Sequence, residues 1–371
     1  MAAIYQKAHV VISADMSPNS RGGFLEIPRD YREKGTPVAF IEDEKAVVYA
    51  RTQYMHGDIV QWQPIAERAW TLQEGLLASR LIHFTDREMI WRCQSGWRCE
   101  CTELDHGWPT PQARIPPHVN SLRVSRSPIE QFNFWYQITD AITKRGITNP
   151  MDLLPCLSGL AKHFQDHGAG MYLAGVWAYD LPRGLLWFPE KISHRMTRYR
   201  APSWSWASFC TPGGPYHGYL FTYCQTGLVR TYASVLDAYC IASGKDPLGA
   251  IAWGRLIVSA PVIELNVDHS FTGTGDDTAW ARANYCRPEG CIRLVGSNHA
   301  ISRPLQARLD YELNLGENEP VYCLFVGESF LCTLGLLLRR YSAGEFERIG
   351  FFSAENYTMV GFIPRTVVNI I

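Results

Sequence analysis

With 371 residues, 46% of them hydrophobic and 19% charged, the chain has ample material for packed cores, and its length suggests two or three domains. Its 35 basic and 36 acidic residues leave a formal net charge of −1, which excludes a general attraction to nucleic acid or to an anionic membrane surface. No apolar run approaches the roughly 18 residues that a membrane helix needs, and Met1–Lys7 lacks a secretory core, so a soluble, cytoplasmic protein is expected.

In chain order, Met1–Ala8 reads as the end of a helix. Ala8–Ala14 is a short, nearly continuous apolar strand of the kind covered on both faces. Ser17–Gly23 is a loop, and Val38–Ile41 and Ala46–Ala50 are short strands. Pro64 opens a helix on which Ile65, Ala69, Leu72 and Leu76 recur at core spacing. A second stripe, Trp70, Gln73, Glu74 and Leu77, runs along an adjacent face. Leu81–Phe84 and Glu88–Arg92 flank a Thr-Asp-Arg turn and form a hairpin. Residues 1–107 therefore amount to about half of an α/β domain, followed by a proline-rich linker over 108–127.

Residues 128–227 read as a mixed middle region. Phe132–Thr143 and Leu153–Phe164 are helical, Met171–Trp177 is a buried piece, and Asp180–Gly184 is a turn. Arg200–Ser208 alternates large and small side chains, which predicts a strand with Trp204 and Trp206 on one face, their indole N–H groups satisfied. From Leu228 the period is mostly two. Leu256–Val267, Cys291–Gly296, Val321–Gly327, Leu331–Arg339, Glu347–Ser353 and Thr366–Ile371 make 228–371 an antiparallel barrel or sandwich. The whole is α+β.

Among the 11 cysteines, Cys93, Cys99 and Cys101 cluster ahead of His106, but the Cys-x5-Cys-x-Cys spacing does not match zinc pairs. Reduced structural thiols and no metal are expected. His163 and His167 lack an evident third ligand, and a helix surface explains them. Ser158-Gly159 and Ser203 lack a nucleophile elbow; Gly273–Asp276 and the glycine-rich stretch around His217 read as loops.

An ordered series of blocks resembles the fungal heterokaryon incompatibility family, the HET domain. It comprises Ile4-Tyr5, Val10–Ala14, Gly22-Gly23-Phe24, Arg68–Glu74, Ser79-Arg80, Phe84 and Trp91-x-Cys93. Asp152–Ala161, Tyr172–Trp177, Leu185–Trp187 and Arg200–Ser208 continue it, and Glu347–Phe351 resembles the tails of such proteins. The family's earlier Ser-Tyr-x-Trp-Gly-like and Cys-Ile-Asn-Gln-Asp-like blocks are expected before Met1, so the chain begins in the middle of the domain.

The resemblance implies a partial TIR-like α/β layer and a role in nonself recognition and regulated cell death. Its partners would be proteins: a second copy, or another HET- or NLR-type protein. TIR-like enzymes cleave the nicotinamide–ribose bond of NAD with a single carboxylate. Carried over, Glu74 would be catalytic, Trp70 a stacking wall and Gln73 a hydrogen bond to ribose, with NAD as the possible substrate. With the early strands absent only one wall of that pocket is expected, which ranks catalysis below protein interaction. The plainer reading pairs Glu74 with Arg68 or Arg80 on a solvated face. A third reading recruits the chain to an unrelated enzymatic task, with its site in the aromatic-rich middle or the β region.

Overall fold

The first elements follow the apolar pattern but are shorter than it suggests. Ala2–Lys7 forms helix α1, and strand β1 is only Val11–Ser13, three residues within the expected Ala8–Ala14. Ile12 is 57% exposed, so among the described residues β1 is covered on one face, not on both. Strands β2 (Thr36–Ile41) and β3 (Ala46–Ala50) pair antiparallel in an exposed hairpin. Pro64 starts a 3-10 turn, Pro64–Glu67, that leads into helix α2 (Ala69–Leu77). The Thr71 hydroxyl donates to the Ile65 and Arg68 carbonyls and ties the turn to the helix. Strands β4 (Arg80–Phe84), β5 (Met89–Cys93) and β6 (Gly96–Cys99) follow.

These strands form a four-stranded sheet in the order β1-β4-β5-β6. β1 and β4 run parallel with Ser13 opposite His83, so α2 lies on the crossover between them; the other pairs are antiparallel. Ala69, Leu72, Leu76 and Leu77 of α2 are buried, as are Leu81 and Ile90 of the sheet. Burying each of the larger side chains contributes roughly 1.5–3 kcal/mol, and this apolar layer fixes α2 in place.

The computed structural model describes residues 2–25, 36–41, 46–50, 63–86, 88–93, 95–100, 102, 104, 127–189, 193–210, 219–220, 228–267, 291–295, 305–316, 319–330, 332–355 and 358–371. They divide into two compact units, Met1–Val124 and Ser125–Ile371, in a mixed α+β chain. Residues 108–126 of the expected linker 108–127, Cys101, His106, the loop around His217 and the Gly273–Asp276 turn lie outside the described residues. Residues 128–227 and 228–371, read from the sequence as separate regions, share the second unit.

In that unit Ser127 caps helix α3 (Pro128–Thr143), accepting from the Glu130 N–H. Helix α4 is Ser158–Asp166, shorter than the expected Leu153–Phe164, because Pro150 and Pro155 each start a 3-10 turn ahead of it. Strands β7 (Tyr172–Leu173) and β8 (Val176–Trp177) make a minimal hairpin around Ala174 and Gly175. Both turn residues have positive φ, 47° and 101°, as a two-residue hairpin loop requires. Strands β9 (Phe188–Pro189), β10 (His194–Arg195), β11 (Phe209–Cys210) and β12 (Tyr219–Leu220) form two short ribbons, β9 with β12 and β10 with β11.

Arg200–Ser208 is not the predicted strand. It is a turn followed by a 3-10 helix over Trp206–Ser208, because its polar groups serve the buried hairpin. The Ser205 hydroxyl donates to the Ala174 carbonyl, and the Trp206 and Trp135 indoles donate to the Gly175 carbonyl. The Trp204 carbonyl accepts from Trp187, whereas the Trp204 indole N–H has no partner. Alternation of large and small residues had imitated a strand; hydrogen bonding to a distant turn decided otherwise.

The remaining strands are β13 (Arg230–Thr231), β14 (Ser234–Ala242), β15 (Ile251–Val267), β16 (Cys291–Val295), β17 (Leu305–Leu309), β18 (Val321–Glu328), β19 (Cys332–Ser342), β20 (Glu345–Glu355) and β21 (Arg365–Ile370). They form one nine-stranded sheet, antiparallel except where β20 meets β21. The 17-residue β15 serves several partners in turn: β14 and β21 early, β18 over Val262–Leu265, and β16 at its end. Pro261 sits at the handover from β21 to β18, where a missing donor does least harm to the ladder. From β18 the pairings continue through β19, β20, β17 and β16 back to β15. The Ile371 carbonyl accepts from both the N–H and the hydroxyl of Ser203, tying the end of this sheet to the middle of the chain.

Candidate functional site

Helix α2 carries the three residues singled out from sequence, and the structure separates them. Trp70 and Glu74 are half-buried. Gln73 is 2% exposed and lies with Leu72, Leu76 and Leu77 on the buried side of the helix. Tyr5 of α1 donates its hydroxyl to the Glu74 carboxylate. That hydroxyl is pushed up to about 12, first by burial and then by the Glu74 charge and the bond to it. Arg80, one of the expected partners of Glu74, donates instead to the His9 carbonyl. Gln73, sealed under the helix, is poorly placed to meet a ribose at the surface.

A second group lies at the carboxyl ends of the parallel strands β1 and β4, the end of an open α/β sheet where ligands bind. Asp15 is fully buried. It accepts from the Ser13 hydroxyl at one oxygen and from His83 Nδ1 at the other, the latter at 2.7 Å. Its backbone carbonyl accepts from Ile65, which brings the start of the crossover against the strand end. His83 is 4% exposed, and its ring lies parallel to the Trp97 indole with centroids 5.9 Å apart. Arg92 stacks on the same indole, 5.6 Å from its centre, and donates to the Gly75 carbonyl of α2. Burial lowers the Arg92 guanidinium to about 10, with Asp15 opposing the shift. Burial also pushes His83 below its ordinary value; Asp15 opposes this and Arg92 adds to it.

No family model, curated protein or solved structure matches the chain. Its chemistry therefore has to be read from these residues.

Asp15, His83 and Arg92 did not emerge from sequence patterns, although a signal was present. An aspartate directly after an apolar strand, and a histidine and an arginine on the buried phase of two alternating strands, are polar groups where the pattern calls for apolar ones. The neighbouring Gly22-Gly23-Phe24 block has a simpler role. Its Phe24 ring packs edge-on against Phe84 at 4.9 Å.

The second unit holds its own buried charges. Arg183 donates through Nε to Asp180 at 2.7 Å and through Nη1 to Asn133 at 3.0 Å, with its guanidinium over the Tyr136 ring. Burial nevertheless raises Asp180 to about 6 against the pull of Arg183. His163 is buried rather than on a helix surface; His167 stacks on it at 4.1 Å and donates through Nδ1 to its carbonyl. Among the described residues no group of three His, Cys, Asp or Glu side chains is placed to hold a metal ion. Cys93 and Cys99 are free thiols, and Cys99 Sγ accepts from the Leu104 N–H. No helix among the described residues is long and apolar enough to cross a membrane.

His83 and Asp180 give the two units opposite responses to acid. A histidine held below its unfolded value of about 6.5 stays neutral while the unfolded chain takes up a proton, so the first unit loses stability as pH falls through that value. An aspartate raised to about 6 takes up its proton in the folded state first, so the second unit gains stability as pH falls toward the unfolded carboxyl value. Amide exchange of the full chain, compared at about pH 7 and pH 5 after correction for intrinsic rates, should show protection falling in residues 2–100 and rising in 127–371. His83→Gln should abolish the first trend, and Asp180→Asn should weaken the second, to which Asp310, also raised by burial, contributes. Trends of one sign in both units would contradict the assignment.

Proposed function

We propose that this chain is a HET-type protein of fungal nonself recognition and regulated cell death, cytoplasmic and acting mainly through protein interaction. The observation that carries the reading is the β1–α2–β4 crossover. Two parallel strands joined through a helix bearing Trp70 and Glu74 are what a partial TIR-like α/β layer would contain, and these elements coincide with the blocks that resemble the family. The circuit of pairings from β15 through β18, β19, β20, β17 and β16 supports reading the later strands as a barrel that regulates the first unit or senses a partner.

A second reading, NAD cleavage by Glu74, has one observation in its favour. The carboxylate is half-exposed beside a half-exposed indole and is held in place by Tyr5. Against it, Gln73 is turned into the core.

Regulated expression in a filamentous fungus separates the readings. Cell death is expected with the parent chain and, undiminished, with Glu74→Ala, while purified protein incubated with NAD releases no nicotinamide above background. Death that disappears in Glu74→Ala together with nicotinamide release would replace interaction by catalysis. A folded, well-expressed chain that leaves the cells unaffected would sink the family reading itself.

A further inference from the structure

We propose that strand β3 is a pairing edge for a second copy of this chain, so that two β2–β3 hairpins join about a two-fold axis into one four-stranded sheet. Among the described residues the hairpin is a sheet of its own, with β3 paired to β2 alone. Two strands by themselves are marginal in water, and further strands are what normally stabilise them. Neither strand contains a charged residue. Phe40, Val47, Val48 and Tyr49 are all exposed. Because successive side chains of β3 point to opposite faces, apolar groups stand open on both.

The two edges of the hairpin differ. β2 carries Pro37, which has no N–H to offer, and a bulge between Pro37 and Ala39; both features keep a strand edge from pairing. β3, Ala-Val-Val-Tyr-Ala, has no such protection. A second copy fits this asymmetry. When β3 pairs with its own counterpart, the blunted β2 lies outermost on each flank, so assembly closes at two chains instead of running on into a fibre.

Symmetry also sets the register. A two-fold axis perpendicular to the sheet keeps each side chain on its own face, so odd-numbered residues of β3 meet odd and even meet even. Full overlap of the strand then places Val48 opposite its own counterpart and Tyr49 opposite Val47. The second contact, formed twice, is an aromatic to β-branched pair, a favourable cross-strand combination. Val47 already lies opposite Phe40 and Tyr49 opposite Pro37, so the pairing lines up one apolar row across all four strands. A strand this short does not bury the roughly 1,200–2,000 Å² of a standard stable interface, and a weak, concentration-dependent dimer is expected. The inference does not depend on the family reading above.

Sedimentation velocity of the full chain at rising protein concentration tests it, with a monomer–dimer equilibrium as the expected result. Val48→Lys or Val48→Glu sets like charges against each other at the axis and should weaken association by about tenfold or more. An equal mixture of the two variants sets lysine against glutamate and should recover it. Val38→Lys, at the bulge of the blunted strand, should associate as the parent does. Val38 and Val48 are both exposed, so the circular dichroism of every variant should match the parent. A parent chain that stays monomeric at all concentrations would overturn the proposal. So would Val48 variants that associate like the parent, a mixture that recovers nothing, or a Val38→Lys protein as impaired as Val48→Lys.

Discussion

Arg348→Met should destabilise the second unit by about 3–5 kcal/mol, the cost of breaking a buried pair from one side. Arg348 is fully buried. Its Nε donates to Asp310 at 2.8 Å, Nη1 and Nη2 donate to the Leu185 and Trp187 carbonyls, and the guanidinium stacks 3.5 Å over the Trp187 ring. One side chain of β20 thus joins the residue that follows β17 to the segment before β9. Methionine fills the volume but leaves the buried Asp310 carboxylate and two carbonyls without those donors. Urea unfolding of the full chain, read through exchange protection in residues 185–210 and 305–355, measures the loss. Arg348→Lys should fall between the two, since it keeps the charge and loses the planar fork. Asp310→Asn added to Arg348→Met should recover part of the stability. A loss below about 1 kcal/mol for Arg348→Met would mean that the pair contributes nothing beyond volume.

Gly175→Ala is the second large effect, expected at roughly 2–5 kcal/mol from strain and overpacking together. Its φ of +101° is a conformation that side-chain-bearing residues rarely adopt, and a Cβ there would sit 2.6 Å from the Trp206 indole nitrogen. That nitrogen donates to the Gly175 carbonyl, as does Trp135, so moving the ring breaks the bonds that hold the buried hairpin. Near-ultraviolet dichroism should weaken along with the unfolding midpoint, because Trp135, Trp177 and Trp206 share this core. Trp206→Phe in the same background makes room for the methyl group and should lower the additional cost. A Gly175→Ala protein with unchanged midpoint would show that the turn can flip without the tryptophans noticing.

The contrast between legible and illegible parts has a physical origin. Strands after Leu228 were readable for two reasons: β15 alternates between a buried and a less buried face, whereas β18 and β19, buried over seven consecutive residues, stand out as apolar runs. Helix α2 was readable for the first of these reasons, at a period of 3.6. Arg200–Ser208 was misread because its small polar residues answer to the carbonyls of Ala174 and Gly175, about thirty positions earlier, and no local pattern announces such a debt. In the candidate site, Trp70 and Glu74 lie on a half-open helix face, whereas Gln73 and Leu77, read as part of the same stripe, are buried. Adjacent helical stripes differ by only about 100° per residue, and composition cannot tell which of them a sheet will cover. Asp15 and His83 stayed hidden because they lie 68 positions apart and meet only when β1 and β4 pair in parallel.

The bonds from Ser203 to the carbonyl of Ile371 bear on how the protein is born. During synthesis the segment around residue 203 leaves the ribosome long before residue 371 exists, at a pace of roughly 5–20 residues each second. The Ser203 N–H and hydroxyl must wait about ten seconds or more for the carbonyl that accepts them. Such far-apart closures fold slowly, and the nascent middle is where a chaperone would find its grip.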